Sequence, residues 1–124
     1  MNPQDFLKKP VNGCDDKSAT VAVVAGTVTD LVSFNTKTGK KAWVVGICTN
    51  TAGSPDDVTY FATADGRPIG EYGKFTVSPA DPQLYSFLPF PLEVGENSIL
   101  KVQALCATVA ANVTGRVIVF YTDP

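Results

Sequence analysis

Histidine is absent from the 124-residue sequence. That removes the commonest general base, and with it the Ser-His-Asp triad and the Cys-His pair. It also removes the ligand type used by most zinc and copper sites. Charge is sparse: 18% of residues are Asp, Glu, Lys or Arg, where about a quarter is usual. The net charge is −2, and lysines gather only at Lys8-Lys9 and between Lys37 and Lys41. A nucleic-acid surface needs more clustered cation than this to neutralise phosphates. The second group reads as solvated charge in a hairpin turn. No apolar run approaches the roughly 18 residues that span a bilayer. The segment Met1–Pro10 lacks the basic start and continuous apolar core of a secretory signal. Synthesis and folding in a reducing cytoplasm are therefore expected, with neither nucleic acid nor membrane as partner.

Cysteine is scarce too. There are three, Cys14, Cys48 and Cys106, so at least one is unpaired. No two share a C-x-x-C spacing. Cys48 and Cys106 lie in apolar, strand-like runs and read as small core fillers; nothing in the sequence supports a disulfide between them. The nucleophile-elbow, P-loop and dinucleotide glycine motifs are all missing. Asp56, Asp57, Asp65, Glu71 and Glu93 could in principle supply a glycosidase pair. Most of them fall in predicted turns, where Asp serves local hydrogen bonds. Asp15-Asp16 and Asp56-Asp57 lack the spacing of a calcium loop. Asn112-Val113-Thr114 is a formal glycosylation sequon but reads as chance without a secretory signal. No catalytic residue, metal or cofactor is expected.

What the sequence has is strand after strand. Thr20–Ala25 and Thr27–Phe34 are rich in Val and Thr, with Gly26 as a bend between them. Thr38-Gly39 marks a turn. Trp43–Cys48 is apolar on both faces, as a centrally placed strand would be. Val58–Thr63 precedes Asp65-Gly66, a hairpin signal because a type I′ turn needs positive φ. Ile69–Val77 reads as the next strand, and Ser78–Pro82 as a proline corner. In Leu84–Val94, Pro89 and Pro91 remove amide donors from one side only, which predicts an edge strand. Tyr85 and Phe87 lie on its outer face. Leu100, Val102, Ala104 and Cys106 alternate with polar residues. In Val113–Thr122, Ile118 and Phe120 fall on the face that a simple monomer would expose.

This pattern gives about eight short strands with turns at sandwich-like spacing. The expected fold is all-β: a two-sheet antiparallel β-sandwich of jelly-roll type, with an immunoglobulin-like sandwich as the alternative. One domain is expected over residues 19–124. Residues 1–18 differ in character and read as an extended N-terminal arm. Asn2 and Pro3 suit a helix start, and Lys8, Lys9 and Pro10 suit its end. Such a short helix, carrying Phe6 and Leu7, orders only by docking on something. Val11–Lys17 then reads as polar linker. Trp43, Tyr60, Tyr72, Tyr85 and Phe87 are candidates for a stacking platform; Trp43 reads as core, and Tyr85 and Phe87 as a protein interface.

Leu84–Tyr121 is similar in pattern to the last strands of small bacteriophage jelly-roll structural proteins. The markers are Phe87-Leu88-Pro89-Phe90-Pro91-Leu92-Glu93-Val94, the Gly95 turn, the alternating Ile99–Cys106 run and the closing Val117–Tyr121. The nearest family is the capsid cement, or decoration, proteins. The resemblance implies a homotrimer on the virion exterior, bound to the major capsid protein and acting mechanically. Phe6, Leu7, Tyr85, Phe87, Ile118 and Phe120 are the expected contact residues. A carbohydrate-binding module or fibre domain is the competing reading, and a small enzyme comes third.

Overall fold

The computed structural model describes the chain apart from residues 1–9, 53–56 and 78–82, with the backbone alone for residues 51–52, 71 and 83–90. The described residues form strands β1 (Val11–Val23), β2 (Thr29–Asn35), β3 (Lys41–Ala52), β4 (Val58–Ala64), β5 (Arg67–Pro68), β6 (Phe75–Val77), β7 (Gln83–Val94), β8 (Ile99–Cys106) and β9 (Ala111–Thr122). A single 3-10 turn, Gly70–Gly73, sits between β5 and β6.

The strands make two packed antiparallel sheets. One is four-stranded, in the order β1-β9-β3-β7; the other is five-stranded, in the order β2-β8-β4-β5, with β6 also pairing β4. Every connection outside the β4-β5-β6 meander crosses from one sheet to the other. Wrapping of this kind is the jelly roll, in which two Greek keys share a core. It is not the immunoglobulin arrangement, where successive strands pair within a sheet.

Local chemistry explains most boundaries. Asp65 and Gly66 have φ of 51° and 79°, the paired positive values that a type I′ hairpin needs. Gly26 and Gly39 each turn the chain at φ 80°. The expected strand Ile69–Val77 is broken instead. Gly70 bends at φ 50°, and a Cβ at Gly73 would lie 2.3 Å from Pro68 Cβ, so the turn folds tightly onto β5. Val11–Lys17 is also not a linker: it is the first half of β1, paired residue by residue with β9 from Thr122 to Val117. An edge strand tolerates polar residues and turn formers, because only one side of its backbone needs a partner.

Strand β7 takes the predicted edge position, pairing β3. Val44 pairs with Leu92 and Gly46 with Phe87, so Leu88, Pro89, Phe90 and Pro91 together lie opposite the single residue Val45. The two prolines thus sit in a bulge, where missing amide donors cost no ladder bonds.

The core lies between the sheets. Leu100, Val102, Ala104 and Cys106 from β8 meet Val113, Val117, Val119 and Tyr121 from β9, with Tyr60 and Ile47 among the largest side chains sealed inside. Thr49 also points inward, opposite Gly115 in register. It is 2% exposed, and among the described residues its hydroxyl has no hydrogen-bond partner. A buried unsatisfied hydroxyl costs roughly 1–3 kcal/mol. Thr49→Val keeps the shape and removes that cost. It should raise stability by about 1 kcal/mol, read as a higher urea midpoint at unchanged slope.

Candidate functional site

Alternate residues of a strand face opposite ways, so β9 serves two surfaces. Val113, Val117, Val119 and Tyr121 enter the core; Thr114, Arg116, Ile118 and Phe120 lie on the outer face of the four-stranded sheet. On that face Phe120 pairs with Trp43 on one side and Cys14 on the other. Ile118 pairs with Gly46, which pairs in turn with Phe87; Cys48 pairs with Tyr85. Of the six expected contact positions, Ile118 and Phe120 share this sheet face; Tyr85 and Phe87 are placed by backbone register in the neighbouring strand β7, and their side chains lie outside the described residues. Phe6 and Leu7 lie outside the described residues.

The expectation that Ile118 and Phe120 are exposed does not hold. Ile118 is 7% exposed and packs with Trp43 and Val45, at 1% and 9%, in a second apolar cluster, with half-buried Phe120 against it. Trp43 Nε1 donates a hydrogen bond of 2.9 Å to Thr122 Oγ1, which fixes the indole over the sheet. A sealed indole offers no face to a sugar ring, so Trp43 drops out as a stacking platform. Tyr60 is fully buried and stacks on Phe75 at 5.4 Å between ring centres. Tyr72 meets Phe75 edge to face. Both are structural.

The carboxylates are also engaged. Asp65 and Glu93 share the rim of an open depression of about 540 Å³ beside Arg67 and Ser98. Asp65 Oδ1 accepts the Ile99 N–H at 2.8 Å, and Glu93 sits 3.7 Å from Lys41 Nζ. Asp57 is exposed at the foot of β4; Asp56 and the Glu71 side chain lie outside the described residues. Among the described residues, no cluster of three or more His, Cys, Asp or Glu could hold a metal ion. None of their helices is long and apolar enough to cross a membrane. Cys48 and Cys106 are not joined by a disulfide and are buried in different sheets. Cys14 is free and exposed. Partial desolvation, then the charges of Asp16 and Asp15, push its pKa up, which keeps the reactive thiolate scarce.

The two ends of the sandwich differ sharply. At one end the loops are laced together. Thr36, 2% exposed, donates from its hydroxyl to Gly95 O and accepts from the Ser98 N–H, each at 2.8 Å. Asn35 reaches Asn97, and Glu96 accepts the Gly39 N–H. At the opposite end, Gly26 N–H bonds Cys106 O at 2.8 Å and draws the β1–β2 and β8–β9 loops together. Here Val24, Val28 and Val109 are 67%, 46% and 39% exposed, three of the five large apolar side chains exposed among the described residues. Sequence reading missed this group. The signal was available: β-branched apolar residues on both sides of a turn glycine, where polar residues are usual.

Polar side chains hold β1 to the rest. Arg116 Nε donates to Asp16 Oδ1 at 2.7 Å and Nη2 to the other carboxylate oxygen, a two-pronged pair. The Tyr121 hydroxyl donates to Asp15 and accepts the Lys37 N–H. Asn12 donates to Asp123 at 2.6 Å. The Arg116 hydrogen bond lowers the Asp16 pKa below the usual carboxylate range. A carboxylate depressed in the folded state stabilises it above the unfolded pKa, and that stability is lost as pH falls through the folded value. Asp16→Asn should cost roughly 0.2–1 kcal/mol at neutral pH. The gap from the unmodified chain should close below about pH 4 and shrink in high salt, both measured by denaturant unfolding.

None of the protein-family models, curated proteins or solved structures compared with the chain matches it.

Proposed function

We propose that the chain is a structural protein, a capsid cement or decoration protein that stabilises a viral shell through contacts with the major capsid protein. It would act from the virion exterior as a homo-oligomer, in the simplest form a trimer. The observation that carries this reading is the apolar loop end formed by Val24, Val28 and Val109. Exposed apolar groups gathered on neighbouring loops are what a protein-binding surface needs. The jelly roll adds support, since viral capsid and lectin domains share it. Between those two, the lectin reading gains nothing from Trp43 or Tyr60, which are sealed. Tyr85 and Phe87 remain in the proposal by their strand position alone.

The mechanism is mechanical. A standard interface buries about 1,600 Å² in all, more than three valines supply, so other loops of the same end must join them. Repetition around a shell multiplies a modest contact into resistance to internal pressure.

Light scattering over a dilution series, followed by co-sedimentation with shells stripped of the protein, tests the proposal. A stable trimer that returns to the shells is expected. Val24→Asp with Val109→Asp should weaken shell binding at least tenfold, about 1.4 kcal/mol, without loss of fold, because both side chains are solvated in the free domain. A monomer that ignores shells at every concentration overturns the proposal.

A further inference from the structure

The laced end of the sandwich carries two open depressions. One, of about 540 Å³, lies beside Asp65, Arg67 and Glu93; the other, of about 330 Å³, lies beside Asp65, Lys101 and Gln103. Each falls within the roughly 300–1,000 Å³ of a small-molecule site. They share Asp65, and the chain neighbours Ser98 and Ile99 line one each. One extended ligand crossing the Asp65-Gly66 turn can therefore occupy both. The turn is held in place: Asp65 N–H donates to Ile99 O, and Asp65 Oδ1 accepts the Ile99 N–H, each at 2.8 Å.

The groups left over around the depressions narrow the ligand class. Among the described residues, nothing hydrogen-bonds or ion-pairs with the Arg67 guanidinium, with Asp65 Oδ2 or with the Thr63 hydroxyl. Gln103 Nε2 donates to Asp30 Oδ1 at 2.6 Å, which leaves its own carbonyl oxygen as an acceptor. Apolar surface lies among these polar groups. Ile99 is 43% exposed. Phe61, the register partner of Gln103, alternates with sealed Tyr60 and Ala62, so its half-buried ring lies on the outer side of β4.

Two carboxylates, Asp65 and Glu93, stand among two cations, Arg67 and Lys101. A phosphate would meet the carboxylates and a polyamine the cations, so a ligand of either charge is disfavoured. A peptide strand needs a free backbone edge, and β4 and β8 are paired on both sides. A neutral polyol fits. Each hydroxyl both donates and accepts, so it can meet carboxylate, guanidinium and amide in turn, while the C–H faces of a sugar ring cover Phe61 and Ile99.

We propose that the laced end binds a neutral oligosaccharide. It lies across the Asp65-Gly66 turn, with Asp65, Arg67 and Gln103 holding its hydroxyls and Phe61 and Ile99 beneath its rings. Val24, Val28 and Val109 are at the opposite end, so the domain has one end for protein and one for sugar. The sugar site stands whether or not the valine end docks on a shell.

Amide chemical shifts of the isotope-labelled full chain, titrated with maltohexaose, cellopentaose, mannohexaose and N-acetylchitohexaose, test this. At least one sugar should move the amides of Thr63, Gly66, Ile99 and Gln103 along saturating curves, with a Kd on the order of 1 mM. The amides of Val24, Val28 and Val109 should stay still. Inorganic phosphate and spermidine should move the same amides less. Arg67→Ala with Gln103→Ala should weaken sugar binding about tenfold through lost hydrogen bonds, and neither side chain enters the core. Should that variant not fold, the titrations of the unmodified chain decide by themselves. No saturating shift with any sugar up to about 10 mM overturns the proposal. So does tighter binding of phosphate or spermidine at these amides, or sugar affinity that the folded double variant keeps. Co-sedimentation with shells is read separately on the unmodified chain, so either reading can fail alone.

Discussion

Strand β9 lies between β1 and β3, and both of its faces are used. Its inward side chains, Val113, Val117, Val119 and Tyr121, supply much of the four-stranded sheet's share of the core. Its outward ones, Ile118 and Phe120, build the second cluster with Trp43 and Val45. A slip of one residue in its register would exchange the two sets. It would place Arg116 between the sheets and Tyr121 outside. The pairing is therefore fixed by burial on both sides, and the positions of β1, β3 and, through β3, β7 follow from it. Gly115 is part of the same constraint. A Cβ there would sit 2.9 Å from Leu31 Cδ1, so the sheets approach closely at that point because β9 presents no side chain.

Against this apolar centre, β1 is held by different means. Its burial is slight until Val23. The ladder to β9, the Asp16–Arg116 pair, the Asp15–Tyr121 hydrogen bond and the Thr20–Thr114 contact at 2.7 Å do the holding. Polar pairs at a solvated edge are each weak, and their sum fixes register more than it adds stability. The charges have a second effect. Asp15, Asp16 and Lys17 on an edge strand oppose pairing with a like strand from another molecule, and the prolines of the β7 bulge act similarly on the far edge.

Alternation and turn chemistry made much of the fold legible in the sequence. The Ile99–Cys106 strand, the Asp65-Gly66 hairpin, the bend at Gly26 and the edge position of the proline-bearing strand all follow from local rules that the structure obeys. Two elements depart from what their composition suggests, one through a long-range pairing and one through a tight local turn. Val11–Lys17 looks like linker by composition, yet β9 offers it a complete hydrogen-bonding partner more than a hundred residues away. Ile69–Val77 looks like a strand by composition, yet Gly73 closing on Pro68 turns it into a short helical corner. The sheet face was found for a partly mistaken reason. An apolar outward residue should meet a partner, which singles out Ile118 and Phe120; Ile118 is already buried in a cluster with Trp43 and Val45 that no periodicity in β9 alone can name. The valines of the loop end went unmarked because strand rules say nothing about loops.

The position of β9 also sets when the molecule can become itself. The register joins Val11 to Thr122, so β1 leaves the ribosome about a hundred residues before the strand it pairs with. Until Ala111–Thr122 has emerged, β1 has no neighbour in its sheet and β3 lacks one of its two. At about 5–20 residues per second, β1 waits on the order of ten seconds for its partner. During that wait Trp43, Val44 and Ile47 belong to a strand with one side unpaired, a segment with the β-propensity and apolar character that nascent chains must keep from neighbouring copies. Folding of this domain is thus an event of completion, and the interval before it, more than the finished sandwich, is where aggregation competes.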